Sequence, residues 1–197
     1  MIIGLTGEIG NGKSTVTDIL KEYGYQAFIC DDIANDIMMN NTKVYEDIIQ
    51  LFGNEIIRED LALDKRKISD IVYKDEEMLI KLNKIIHPAV IDFIKNNLKP
   101  DNNYVIESAI LFDTDLVLLC DKIIYVYTNY EERLKRLSES RNLSEEKIKE
   151  ILSNQMESED FKEKSDYVID NSFSPSDTKE QLKKILDQEN NLCDWIR

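Results

Sequence analysis

Eight residues just inside the amino terminus, Gly7-Glu8-Ile9-Gly10-Asn11-Gly12-Lys13-Ser14, have the types and spacing of a phosphate grip. They fit G-x-x-x-x-G-K-[ST], the phosphate-binding loop. A triphosphate needs several donors converging on its oxygens. Backbone N–H groups converge that way only where the chain turns tightly and comes close to the ligand, which glycine permits. Gly7, Gly10 and Gly12 stand where that freedom is needed. From Lys13 the pattern opens a helix, whose first N–H groups and dipole face an anion. Lys13 is then expected on the β- and γ-phosphates and the Ser14 hydroxyl on Mg²⁺.

Other residues along the chain are candidates for the rest of a phosphoryl-transfer site. Asp31 and Asp32 follow an apolar stretch, at a place suited to proton transfer or metal contact. Helix capping suits the same two residues equally well. His87 precedes Pro88, and from the sequence alone it reads first as a structural residue beside a proline-disturbed helix. Glu107 near the end of Tyr104–Ser108 is either an indirect Mg²⁺ partner or a solvated strand end. Leu111 and Phe112 either line an apolar pocket or pack in the core. A transferring phosphoryl also needs cations above it, and Arg133, Arg136 and Arg141 are the best supply in an acidic chain. At least one of them is expected in the site.

Strands and helices must position these groups. Met1–Thr6 is short and apolar and reads as a buried parallel strand. Val16, Ile19, Leu20 and Tyr23 follow at helical spacing and close on Gly24, a natural residue just past a helix end. Further strands are expected at Tyr25–Cys30, Tyr104–Ser108, Lys122–Tyr127 and Asp166–Asn171, which makes five. Ligands of such open α/β sheets gather at the carboxyl ends of the strands. Residues 33–98 show helical periodicity and no convincing strand, too long a crossover for a linker. Pro88 is expected to kink or restart the helix there. A second charged helix is expected from Ser144. Ser174-Pro175-Ser176-Asp177 is a strong helix start. The tail from Glu189 is mostly polar and is expected to dock loosely.

Composition narrows the class. The 197 residues suit one domain with inserted lobes. Thirty-nine acidic against 25 basic residues leave a formal charge of −14, which argues against a nucleic-acid surface. It also means that a phosphate site must reverse the overall field locally. No apolar run approaches ~20 residues, so no membrane span is expected. The amino terminus lacks a signal-peptide layout. Cys30, Cys120 and Cys193 are scattered and suit neither a zinc site nor a disulfide framework, so a reducing, cytoplasmic setting is expected.

Taken together, these stretches resemble the dephospho-CoA kinase family over nearly the full length. The resemblance is carried by Ile3–Thr15, by Asp31 with Ile33-Ala34, and by Leu82-Asn83 with Ile86-His87-Pro88. Ile110–Asp113, Leu143–Glu146, Gln155 and Asp166–Asn171 extend it. It implies a P-loop NTPase-type α/β fold: a parallel five-stranded sheet flanked by helices, with a helical substrate-binding insert and a helical lid. The implied segments are a core of 1–31, 101–128 and 165–190, a substrate lobe of 32–100 and a lid of 129–164. It implies ATP-dependent phosphorylation of the ribose 3′-hydroxyl of dephospho-CoA to give coenzyme A and ADP, with Mg²⁺. By that reading Asp31 orients or deprotonates the hydroxyl, and Lys13, Arg136 and Arg141 act on the moving phosphoryl. Gly10, Asn11, Gly12, Lys13, Ser14 and Thr15 serve ATP, and Asn171 lies near its adenine. His87 and Phe112 join Asp31 on the substrate, and Ser14 and Glu107 serve the metal. The lid departs from the family pattern, so Arg141 stands in for an arginine expected at or beside Ser140. Partners are expected to be these small molecules, with no nucleic acid and no membrane, and the chain a monomer or weak homo-oligomer. A GTP switch is disfavoured, since Gly24 and Gly53 lack an aspartate three residues earlier. A kinase of another small substrate, such as a nucleoside monophosphate, is the remaining alternative.

Overall fold

The computed structural model describes residues 1–141 and 158–194, without the side chains at 140, 141, 190 and 192–194. The chain divides into two compact units, Met1–Phe28 with Asp101–Arg197, and Ile29–Pro100. The expected helix from Ser144, with Leu143–Glu146 and Gln155, lies outside the described residues.

The first unit is built on a five-stranded parallel sheet in the order β2-β3-β1-β4-β5. Its strands are β1 (Ile2–Thr6), β2 (Gln26–Ile29), β3 (Tyr104–Glu107), β4 (Lys122–Tyr127) and β5 (Tyr167–Asp170). β1 lies centrally, paired with β3 and β4, and its neighbours are nearly continuous apolar runs. That is the pattern of strands covered on both faces. Ile3, Leu5, Val105, Ile124, Val126 and Ile169 form one core with Val16, Ile19 and Leu20 of α1 (Lys13–Glu22). Leu182 and Leu186 of the last helix close it. Burying each such side chain contributes about 1.5–3 kcal/mol. Register sets the site: Leu5 lies beside Glu107 on one side and Ile124 on the other.

Helix ends follow local chemistry. α1 stops where Gly24, at φ 88°, donates its N–H to the Lys21 carbonyl at 3.0 Å. Tyr23, expected on the buried face, is 39% exposed because it already lies beyond the last helical turn. Before the last helix, the Asp177 N–H donates to Ser174 Oγ at 3.3 Å, and the Ser174 N–H donates to the Asp177 carboxylate at 3.1 Å. This reciprocal cap satisfies two otherwise orphaned donors. Of the tail expected to dock loosely, residues 195–197 lie outside the described residues, and residues 189–194 continue the helix that starts at Pro175. Glu189 is buried on it, accepting from the Tyr167 hydroxyl and pairing with Lys122 at 3.3 Å. That tether explains why a polar stretch stays helical. Burial pushes the Cys120 thiol up to about 12.

The second unit is helical: α2 (Cys30–Asn40), α3 (Thr42–Phe52), α4 (Lys65–Lys74) and α5 (Glu76–Asn97). Asn41, Asp64 and Asp75 cap α3, α4 and α5 through their side chains. The restart expected at Pro88 does not occur, because α5 runs unbroken from Glu76 to Asn97. Proline inside a helix costs about 3 kcal/mol. Pro88 faces solvent, while Leu82, Ile86, Val90 and Ile94 bury a stripe every fourth residue. At about 1.5–3 kcal/mol each, that stripe outweighs the lost bond to the Lys84 carbonyl.

Candidate active site

The loop between β1 and α1 is a backbone nest held from behind. Gly12 is the residue before α1 and has the left-handed conformation, φ 80° and ψ 37°. No side chain caps that helix start, and no acidic residue lies in its first turn. Thr15 and Val16 return their N–H groups to the Gly12 carbonyl at 3.1 and 3.4 Å, while the Ser14 N–H makes no hydrogen bond among the described residues and is offered to a ligand. Gly7 permits the close approach behind the loop, since a Cβ there would come within 2.5 Å of the Val126 carbonyl oxygen. A Cβ on Gly12 would run into the Asn171 amide. Lys13 Nζ donates to the Gly7 carbonyl at 2.8 Å, which holds its charge over the loop.

Buried amides fix the loop. Asn11 is fully buried and donates from Nδ2 to the Val126 carbonyl at 2.7 Å. Its own carbonyl accepts from Thr128 Oγ1 and from Asn171 Nδ2, each at 2.9 Å. Asn171 is 2% exposed, and its Oδ1 accepts from Thr178 at 2.8 Å. Its side chain thus supports the loop from inside. Arg136, on α6 (Tyr130–Arg141), donates from Nη2 to the Asn171 carbonyl at 2.8 Å and from Nε to Glu132 at 3.1 Å. Its Nη1 lies 3.2 Å from where a Gly12 Cβ would sit, beside the nest. Arg141 ends α6, and its side chain lies outside the described residues.

Sequence reasoning missed Glu8. It is 3% exposed and pairs with Arg133, whose Nη1 donates at 2.9 Å. Tyr125 and Ser158 donate to it at 2.7 and 2.8 Å, and Asn11 Nδ2 also donates to it. Burial alone would raise this carboxyl. The hydrogen bonds from Tyr125 and Ser158, with the nearby Arg133 charge, outweigh burial and hold it below its ordinary 4.5. A signal was available: a carboxylate inside an anion-binding loop repels the ligand unless it is paired within the protein. Arg133, grouped with the candidate phosphate cations, is committed to that pairing instead.

Glu107 accepts from Thr17 Oγ1 at 2.5 Å, which ties the end of β3 to α1 one turn past Ser14. Ser14 is exposed, and its hydroxyl has no hydrogen bond among the described residues. No cluster of three or more His, Cys, Asp or Glu among the described residues could hold a metal alone. One hydroxyl and one nearby carboxylate fit Mg²⁺, which takes few protein ligands and keeps waters and phosphate oxygens. Phe112 is half-buried, its ring 6.0 Å from Phe161 and 5.7 Å below Lys164 Nζ.

In the second unit, Asp31 and Asp32 lie exposed in the first turn of α2, where negative charge suits the dipole. Neither is the cap. That position falls to Ile29, which makes no side-chain cap bond, so the capping alternative is set aside. His87 is half-buried on α5.

Comparison with known proteins decides the family. The dephospho-CoA kinase family model matches residues 1–177. This chain belongs to the dephospho-CoA kinase family. It is 37% identical over 189 residues to a dephospho-CoA kinase of Fusobacterium nucleatum, covering 95% of this chain and 97% of that one. A dephospho-CoA kinase of Aquifex aeolicus is 38% identical over 189 residues, covering 94% and 96%. Among solved structures, the dephospho-CoA kinase from Campylobacter jejuni superposes with a TM-score of 0.70 at 26% identity, covering 95% and 96%. The dephospho-CoA kinase match takes in the loop, Asp31, His87, Glu107, Phe112, Arg136 and Asn171, and stops within the last helix. No described helix is long and apolar enough to cross a membrane.

Proposed function

We propose that the protein transfers the γ-phosphoryl of ATP to the ribose 3′-hydroxyl of dephospho-CoA, giving coenzyme A and ADP. The carrying observation is the uncapped amide nest at the start of α1 in a chain of this family. Phosphoryl transfer asks for positioning and charge neutralisation more than covalent chemistry. Backbone N–H groups of the loop and of the start of α1, the Ser14 N–H among them, grip the phosphates, and Lys13 adds a cation at the β- and γ-oxygens. Arg136, already beside Gly12, neutralises charge developing on the transferring group. Arg141 is assigned a share of that task on the resemblance. Asn171 serves ATP by holding the Asn11 carbonyl. Mg²⁺, held through Ser14 and indirectly by Glu107, bridges phosphate oxygens and offsets their charge. Asp31 orients the acceptor hydroxyl and takes its proton, while His87 and Phe112 hold dephospho-CoA. A cytoplasmic setting and a monomer or weak homo-oligomer complete the reading.

A coupled assay of ADP release tests it with dephospho-CoA, AMP and pantetheine as acceptors. Release with dephospho-CoA is expected at least ~100-fold above the other two, and Asp31→Asn is expected to lose it while still binding ATP. Preference for AMP would make the protein a nucleoside monophosphate kinase. Undiminished turnover in Asp31→Asn would remove that residue from the base role.

A further inference from the structure

Glu8 stands inside a loop built to bind anions, yet it is buried and carries charge. Its two oxygens are saturated. Oε1 accepts from Arg133 Nη1 at 2.9 Å and Ser158 Oγ at 2.8 Å. Oε2 accepts from the Tyr125 hydroxyl at 2.7 Å and from Asn11 Nδ2. The donors come from four places: the loop, β4, α6 and α7 (Ser158–Lys164). Stacking supports the same arrangement, with the Tyr125 and Phe161 rings 5.1 Å apart and 9° from parallel. Asn11 leads directly into Gly12, the left-handed residue that aims the first amides of α1. Arg133 lies one turn before Arg136 on α6, so its anchorage sets where Arg136 stands beside Gly12.

We propose that Glu8 is a positioning residue for nucleotide binding: through Asn11 and Arg133 it holds the phosphate nest and Arg136 in one mutual geometry. The inference rests on the reading of the loop as the ATP site. Its consequence runs against simple electrostatics. Removing a negative charge from a loop that binds ATP should tighten binding by Coulomb attraction. Removing the anchor of the nest should weaken it, because misplaced donors lose most of their effect.

The test is titration of ATP by calorimetry into the full chain and into Glu8→Gln, Arg133→Met and the double variant, with melting temperatures measured alongside. Glu8→Gln is expected to bind ATP about tenfold more weakly, with the KM for dephospho-CoA within about twofold of the parent. It also strands the Arg133 guanidinium, whose Nε already has no partner among the described residues, so its melting temperature is expected to fall. The double variant removes the stranded charge. It is expected to regain thermal stability without regaining ATP affinity. ATP affinity equal to or tighter than the parent's in folded Glu8→Gln would overturn the proposal. So would affinity that returns together with stability in the double variant, which is the behaviour of a merely structural pair. The ATP titration needs no acceptor, so failure of the parent to phosphorylate dephospho-CoA would sink the proposed reaction and leave this inference to its own measurement.

Discussion

Single residues decide how an acidic chain holds a phosphate chain. Lys13 is aimed by the Gly7 carbonyl, and Arg136 by the Asn171 carbonyl. Arg133 contributes no free charge, because Glu8 neutralises it. The Glu8 carboxyl is held below 4.5 in the folded protein, so ionised Glu8 stabilises the fold. That contribution is complete above about pH 4.5, the unfolded value, and is lost as pH falls through the lower folded value. The Tyr125 phenol that faces it is pushed well above its ordinary value by burial and stays neutral in that window. The stability gap between the parent and Glu8→Gln is therefore expected to be constant from pH 5 to 7 and to narrow below about pH 4.5. Urea unfolding at each pH measures it. A gap that widens on acidification would mean that the carboxylate is not stabilised by its partners.

Whole elements show which parts of the sequence could be read directly. β1, the glycine loop and α1 are local: period, glycines and Gly24 all lie within two dozen residues, and the structure has them as expected. The Ser174–Asp177 cap was equally legible, for the same reason. Pro88 was not. A local rule ends the helix there, and only the buried stripe from Leu82 to Ile94 overrides it. Pro88→Ala restores an N–H for the Lys84 carbonyl, and its side chain faces solvent. The substitution is expected to raise unfolding stability by about 1–3 kcal/mol, read from urea midpoints. Unchanged or lower stability would mean that the proline relieves a constraint elsewhere on α5. The Glu8 cluster was also illegible, because Tyr125, Arg133 and Ser158 lie 117, 125 and 150 positions away along the chain. Only the sheet order brings β4 against β1 and so closes that distance.

At the scale of the molecule, a formal charge of −14 opposes any nucleotide. The fold answers with backbone dipoles at one helix start and with two cations, Lys13 and Arg136, aimed by backbone carbonyls. The second unit supplies a separate helical body in the middle of the chain, inserted between two stretches of the sheet unit. The most direct test is to find where the phosphate goes. Incubation with ATP, Mg²⁺ and dephospho-CoA, followed by phosphorus NMR of the product, is predicted to show one new monoester on the ribose 3′-oxygen and an equal amount of ADP. Release of inorganic phosphate alone, or a monoester at any other position, would contradict the account.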